Sequence, residues 1–206
     1  MADRLSRAKL ARAAAALNAR SGLAGYLPPL ALLTDDERLP DPAAAARALP
    51  RGSLVILRAR DAARRAALVL DLLRIGHERD LVLLIAADPE LARRIGAHGL
   101  HLPEACAREA AHWRARFPHW LITCAAHSLR AVHTAQSAGA NAVLLSPVFA
   151  TQSHEGAGAL GALRFRILAQ ASPLPVYALG GIDAHTVPQL KDAPATGIAA
   201  IAALSV

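Results

Sequence analysis

From residue 30 onward the chain alternates short apolar runs with longer Ala/Leu/Arg stretches whose apolar positions recur at helical spacing. Eight such runs predict strands: residues 30–35, 53–60, 81–87, 99–102, 120–126, 142–148, 175–181 and 197–204. Several are apolar at every position, which suits strands held between a barrel interior and an outer layer of helices. Helix starts are readable between them. Asp61 opens a helix running to about Gly76, Ser128 caps one ending near Gly139, and Asp183 is expected to begin a helix after the seventh strand. Eight strands with helical or short connections predict one α/β domain, a (β/α)8 TIM barrel. The alternative is a flavodoxin-like open sheet, which would need a topological switch point.

Residues 4–19 form a further amphipathic pattern, with Leu5, Leu10, Ala13, Ala14 and Leu17 on one side and Arg7, Lys9 and Arg12 elsewhere. Only two residues follow the last strand run here, so the flank between the eighth and first strands is expected to lack a helix of its own. The N-terminal helix is expected to take that missing eighth place, packed antiparallel to the first strand. A mobile or dimer-forming basic arm is the alternative. On this reading residues 1–27 are helix and linker, and residues 28–206 are the barrel.

Composition narrows the setting. A compact domain of 206 residues buries roughly 70% of the surface its unfolded chain exposes, so it needs no staples. Cys106 and Cys124 form no CxxC pair, and no basic-apolar leader pattern precedes them, so a reducing cytoplasm is the expected setting. No apolar run approaches the ~20 residues needed to span a bilayer, so no membrane association is expected. The net charge of +7 admits an anionic partner. Nucleic acid fits poorly, because few aromatics could stack bases and no zinc-finger, RNP or KH motif is present. A phosphorylated small molecule fits better, and a homo-oligomer is compatible with the sequence.

In such a barrel, chemistry belongs at the C-terminal ends of the strands. The segment SPVFATQSHEGAGALG, residues 146–161, is rich in glycine and small hydroxyl residues that let backbone approach a ligand. In ALGGID, Gly180 and Gly181 follow a strand and offer backbone N–H groups to an anion, although a tight turn would read the same way. His98 and His101 are three apart at a strand start and so face opposite sides, which argues against a shared metal; His101 reads as structural. Cys124, on a strand, reads as a buried inert thiol.

These pieces, together with LLTD, ILRAR (residues 56–60), GAHGLHLPE (residues 96–104) and AHS (residues 126–128), resemble in order and spacing the thiamine phosphate synthase and TenI family. The resemblance covers essentially the whole barrel, and residues 99–128 are nearer to TenI. It implies a role in thiamine biosynthesis, on or binding thiazole phosphate, thiamine phosphate or a pyrimidine pyrophosphate. The synthases are transferases whose QLRxK strand end holds pyrophosphate; here Arg58 and Arg60 stand at its charged positions and Ile56 replaces the glutamine. Their TPTK loop reads TQSH, so Thr151 and Ser153 keep hydroxyls while His154 replaces the lysine. Gly180 and Gly181 keep the phosphate cradle.

The departures concern catalysis. Ala86 and Ala87 stand where synthases carry an Asn-Asp pair, Cys106 where they carry an acid, and Ala125 where they carry a serine. Those carboxylates hold Mg²⁺, which needs oxygen ligands. No residue set is therefore assigned to a metal, and Mg²⁺ is expected only if Asp88 or Glu104 rebuilds the site. TenI proteins act as aminothiazole tautomerases through a histidine on the sixth strand, where this chain has Pro147. His127 and His154 are the remaining candidates for proton transfer. Synthase activity is thus not expected. The competing readings are a non-catalytic phosphate-ligand-binding or regulatory paralogue and a tautomerase with a different base.

Overall fold

The computed structural model describes residues 3–59, 61–151 and 158–206. Eight parallel strands close into a barrel in sequence order, with β8 pairing back onto β1. The strands are β1 (Leu30–Leu33), β2 (Leu54–Leu57), β3 (Val82–Ala86), β4 (Gly99–Leu102), β5 (Leu121–Ala126), β6 (Ala142–Leu145), β7 (Val176–Leu179) and β8 (Gly197–Ala200). The helices are α1 (Arg4–Arg20), α2 (Pro42–Ala48), α3 (Ala62–Arg79), α4 (Pro89–Arg94), α5 (Ala110–Arg116), α6 (Leu129–Ser137) and α7 (Gly161–Ala171). No helix among the described residues is long and apolar enough to cross a membrane.

The uniformly apolar strands have the two buried faces that the sequence predicted. One set of positions, including Leu33, Ile56, Leu84, Leu144, Tyr177 and Ala199, fills the barrel interior. The alternate set, including Leu32, Val55, Leu57, Ile85, Leu100, Ile122 and Val143, packs under the helices. A period of two places successive side chains on opposite faces, so both faces must be apolar when both are covered. Cys124 belongs to the outer set and is fully buried, and burial pushes its thiol up to about 12.

The N-terminal helix lies against β8 and β1, in the eighth place. Leu10, Ala14 and Leu17 are buried there, each side chain of leucine size contributing roughly 1.5–3 kcal/mol. Asn18, also buried, ties the helix end to the barrel: its Nδ2 donates to the carbonyls of Leu27 at 3.1 Å and Thr196 at 2.8 Å. Arg7 donates to the Ser205 carbonyl at 3.0 Å.

Asp61 and Ser128 cap α3 and α6 through their side chains, as their positions in the sequence suggested. The α3 helix runs past Gly76 to Arg79 and ends at Asp80, whose left-handed backbone (φ 52°) caps it with the Asp80 and Leu81 amides donating to the Gly76 carbonyl. The expected α-helix after β7 does not form. Asp183 instead caps a turn, accepting from the amides of His185 and Thr186, and only a short 3-10 helix, Val187–Leu190, follows. Pro188 is the second residue of this short helix and Pro194 follows it, and proline cannot donate to the ladder of a longer helix begun at Asp183. The eighth strand is likewise shorter than its apolar run, ending at Ala200 before a 3-10 turn over Ala202–Leu204.

Candidate functional site

The C-terminal ends of the strands open into a cleft of about 1340 Å³. Its lining comes from the ends of β1 and β2 on one side and from β6, β7 and β8 on the other. Arg58, Thr151, Gly180 and Gly181, all picked out by sequence, meet in it. Arg60, Ser153 and His154 lie outside the described residues.

Arg58 leaves β2 at the parity of Leu54 and Ile56, which are interior positions. Its backbone is fixed from β1. The Thr34 hydroxyl donates to the Arg58 carbonyl at 2.6 Å and accepts from the Arg58 amide at 2.7 Å. Its guanidinium is fixed by the next residue, donating to Asp35 Oδ2 at 2.9 Å. Arg38 approaches the same carboxylate through Nε at 3.2 Å to Oδ1 and Nη2 at 2.7 Å to Oδ2. Hydrogen bonds from Arg38, together with amide bonds from Arg38 and Glu37, hold Asp35 far below the usual carboxylate range, so it is ionised throughout the neutral range.

On the opposite side, β7 ends in Gly180 and Gly181, with φ of 99° and 64°. Their conformation answers to a close approach by the chain itself. A Cβ on Gly181 would stand 2.5 Å from the Ala150 carbonyl oxygen, and one on Gly180 would stand 2.9 Å from Pro147 Cα. The segment after β6 is laid along this edge by Val148 and Phe149 amides donating to Leu179 and Gly180 carbonyls. Gly181, Ala202 and Ala203 line the cleft, and among the described residues no backbone or side-chain acceptor takes their amide hydrogens. Three such amides on neighbouring strand ends form a pole suited to an anion.

Between these poles the barrel floor is nearly apolar. Ala86 faces inward on β3, registered against His101 on β4, and His101 Nδ1 lies 2.9 Å from the Thr123 hydroxyl on β5. Burial, reinforced by the charge of Arg58, holds the His101 imidazole down to about 3, so it is neutral at neutral pH. His98 lies exposed at the start of β4, where its Nδ1 accepts from the Leu83 amide, so the two histidines do not share a site.

His127 is not brought into the cleft. It stands at the rim after β5, where Glu104 Oε2 accepts from its amide at 2.7 Å and lies 2.6 Å from its Nδ1. The two acids considered for Mg²⁺ are committed elsewhere. Asp88 caps α4 by accepting from the Leu91 amide and takes Arg65 Nη1 at 2.8 Å, while Glu104 holds His127. With Ala86, Ala87 and Cys106 at the remaining positions, the donor set does not fit a hard cation. Among the described residues no three His, Cys, Asp or Glu side chains come together as a metal group.

Sequence reasoning missed Asp35, Arg38, Ala202 and Ala203. Asp35 was legible as the acid closing LLTD at a strand end; Ala202 and Ala203 act through backbone alone and carry no side-chain signal.

Comparison with known proteins places these features. The family described as "Thiamine monophosphate synthase" matches residues 30–204. A "Putative thiamine-phosphate synthase 2" of Aquifex aeolicus is 34% identical over 120 residues, 58% of this chain and 64% of that protein. A "Thiamine-phosphate synthase" of Bacillus velezensis is 31% identical over 131 residues, 63% of this chain and 58% of that protein. The chain thus spans less than two thirds of the length of these curated relatives. Among solved structures, a thiamine phosphate pyrophosphorylase from Pyrococcus furiosus superposes with a TM-score of 0.70 at 23% identity, covering 84% of each chain, a likeness of fold. The chain belongs to the thiamine monophosphate synthase family.

Proposed function

We propose that this protein serves thiamine biosynthesis by binding thiazole phosphate or thiamine phosphate at the C-terminal face of its barrel, without performing the Mg²⁺-dependent coupling. The observation that carries the reading is the cleft's two poles: the amides of Gly181, Ala202 and Ala203 opposite the guanidinium of Arg58, with an apolar floor between them. A phosphate at the amide pole would leave a heterocycle over Leu179, Ala199 and Ile201. Thr151, which also lines the cleft, supplies a hydroxyl near its open side.

Coupling would require departure of pyrophosphate from the pyrimidine, with charge building on the leaving group. Residues that could hold Mg²⁺ for that step do not fit it here, and the family's proton-transfer histidine is Pro147. The Glu104–His127 pair favours a second reading, a tautomerase in which a carboxylate-oriented imidazole moves the proton. It ranks behind simple binding because His127 stands outside the cleft lining.

Thermal melting with thiazole phosphate and with thiamine phosphate, beside a chromatographic assay for thiamine phosphate from hydroxymethylpyrimidine pyrophosphate, thiazole phosphate and Mg²⁺, tests this. A ligand at ~100 times its dissociation constant adds about 2.7 kcal/mol of stability. That is a rise of roughly 5–11 °C for a domain of this size. No shift with either ligand would remove the binding reading, and steady turnover in the product assay would remove the claim that coupling is lost.

A further inference from the structure

A second cavity, of about 390 Å³, opens at the N-terminal end of the barrel, between the turns that lead into β4 and β5. Parallel pairing of these strands makes the two turns neighbours: the Leu121 amide donates to the His98 carbonyl at 2.9 Å, so the residues before β4 and before β5 share one edge. We propose that this cavity is a binding site for a small planar aromatic carboxylate. It lies at the opposite end of the strands from the cleft and does not depend on what the cleft binds.

One wall is aromatic and held in place. Phe117 and Trp120 line the cavity and stack with ring centroids 4.0 Å apart, and Trp113 stacks with both at 6.4 and 6.3 Å. Arg114 pins the turn that carries them, donating to the Pro118 carbonyl at 2.7 Å and the Trp120 carbonyl at 2.9 Å. Trp120 is 4% exposed, yet its indole N–H meets no acceptor among the described residues. A buried indole N–H ordinarily finds a partner. Trp113 Nε1, sealed inside the same cluster, lacks one too, but of the two indoles only Trp120 borders the cavity, where a ligand oxygen can accept its hydrogen.

The rest of the lining offers donors and no carboxylate. His98 Nδ1 accepts from the Leu83 amide at 3.1 Å, so a neutral ring carries its proton on Nε2. The His119 ring makes no hydrogen bond among the described residues. Arg93 gives its Nε to Glu90 at 3.1 Å, and its Nη groups meet no acceptor among those residues. Glu90 is off the lining and 65% exposed, where water screens it. The carbonyls at the end of α4, which would repel an anion, are taken: those of Leu91, Ala92 and Arg93 accept from the Ile95, Ala97 and Gly96 amides. Arg116 lies over the Phe117 ring, 5.8 Å from its centroid, and adds positive charge to the aromatic wall. A flat ring suits the stacked wall, and a carboxylate suits an indole N–H, two imidazoles and a guanidinium whose Nη edge is open.

Trp113 and Trp120 are the chain's two tryptophans, so its indole N–H resonances report on this cluster alone. Benzoate titrated into the isotope-labelled full chain should move the Trp120 indole proton downfield and saturate with a Kd of about 1 mM or tighter, the resonance being assigned with Trp113→Phe. Benzyl alcohol, a similar ring without the charge, should bind at least about tenfold more weakly. Arg93→Ala and His119→Ala should each weaken benzoate about three- to tenfold. Both positions are exposed, so these variants keep the fold and carry the test even where Trp120→Phe, which keeps a ring and removes the donor, does not fold. Arg58→Ala, at the other end of the barrel, should leave benzoate binding unchanged. A shift that does not saturate, equal binding of benzyl alcohol, or unchanged affinity in both Arg93→Ala and His119→Ala would overturn the proposal. Loss of the response in Arg58→Ala would place the carboxylate in the cleft and overturn it as well.

Discussion

If α1 is a docked part of the barrel, Asn18 should be among its more costly residues to lose. Its Nδ2 reaches the Leu27 and Thr196 carbonyls in a site that leaves the residue 4% exposed. Asn18→Leu keeps the volume and the helix while removing both donors. A buried carbonyl left without a partner costs about 1–3 kcal/mol. With two carbonyls affected and some relaxation, the loss is roughly 2–4 kcal/mol, a fall in melting temperature of roughly 5–15 °C for a domain of this size. Arg12→Ala, on the exposed side of the same helix, should change stability by less than about 0.5 kcal/mol. Urea unfolding of the three proteins, followed by circular dichroism, measures both differences. Equal stabilities for Asn18→Leu and the parent would refute the reasoning and favour the mobile arm.

Gly181→Ala should both destabilise the fold and abolish the melting shift with thiazole phosphate, because its φ of 64° and a Cβ 2.5 Å from the Ala150 carbonyl displace the strand-end amides. Retained ligand response would remove the amide pole from the site. His101, held down to about 3 against an ordinary 6.5, takes up its proton more readily in the unfolded chain. Stability linked to it is therefore complete above pH 6.5 and falls as pH drops toward 3, by about 2 kcal/mol between pH 6.5 and 5. His101→Gln should flatten that part of a stability–pH curve, and an unchanged slope would show that the imidazole is not buried neutral. Cys124, fully buried with its thiol pushed up to about 12, should resist iodoacetamide in the native protein and react on unfolding. Labelling of the folded chain at Cys124, read by peptide mass, would contradict its placement.

The alternation of apolar runs with helical stretches was enough to determine eight strands, their parallel order and the doubly buried character of the sheet. That is local information, since a strand apolar on both faces has few other places to go. The amphipathic pattern of residues 4–19 likewise pointed to a docked helix, and Asp61 and Ser128 announced their caps. What failed in sequence was the stretch after β7. There Asp183 looked like a helix start, but its carboxylate found the His185 and Thr186 amides and the prolines admitted only a 3-10 turn.

The site divides in the same way. That Gly180 and Gly181 end a strand was legible along the chain, Arg58 was named only through its match to the family's strand-end motif, and all three line the candidate cleft. Only the tertiary structure decided that Asp35 gathers two arginines, that Ala202 and Ala203 offer amides beside Gly181, and that Glu104 keeps His127 at the rim. Each depends on parallel pairing of consecutive strands, β1 with β2, β4 with β5 and β7 with β8, which sets strand ends a whole βα unit apart in sequence side by side around one mouth. Hydrogen bonds between such distant residues, and backbone groups that every residue shares, leave no mark in a local pattern of side chains.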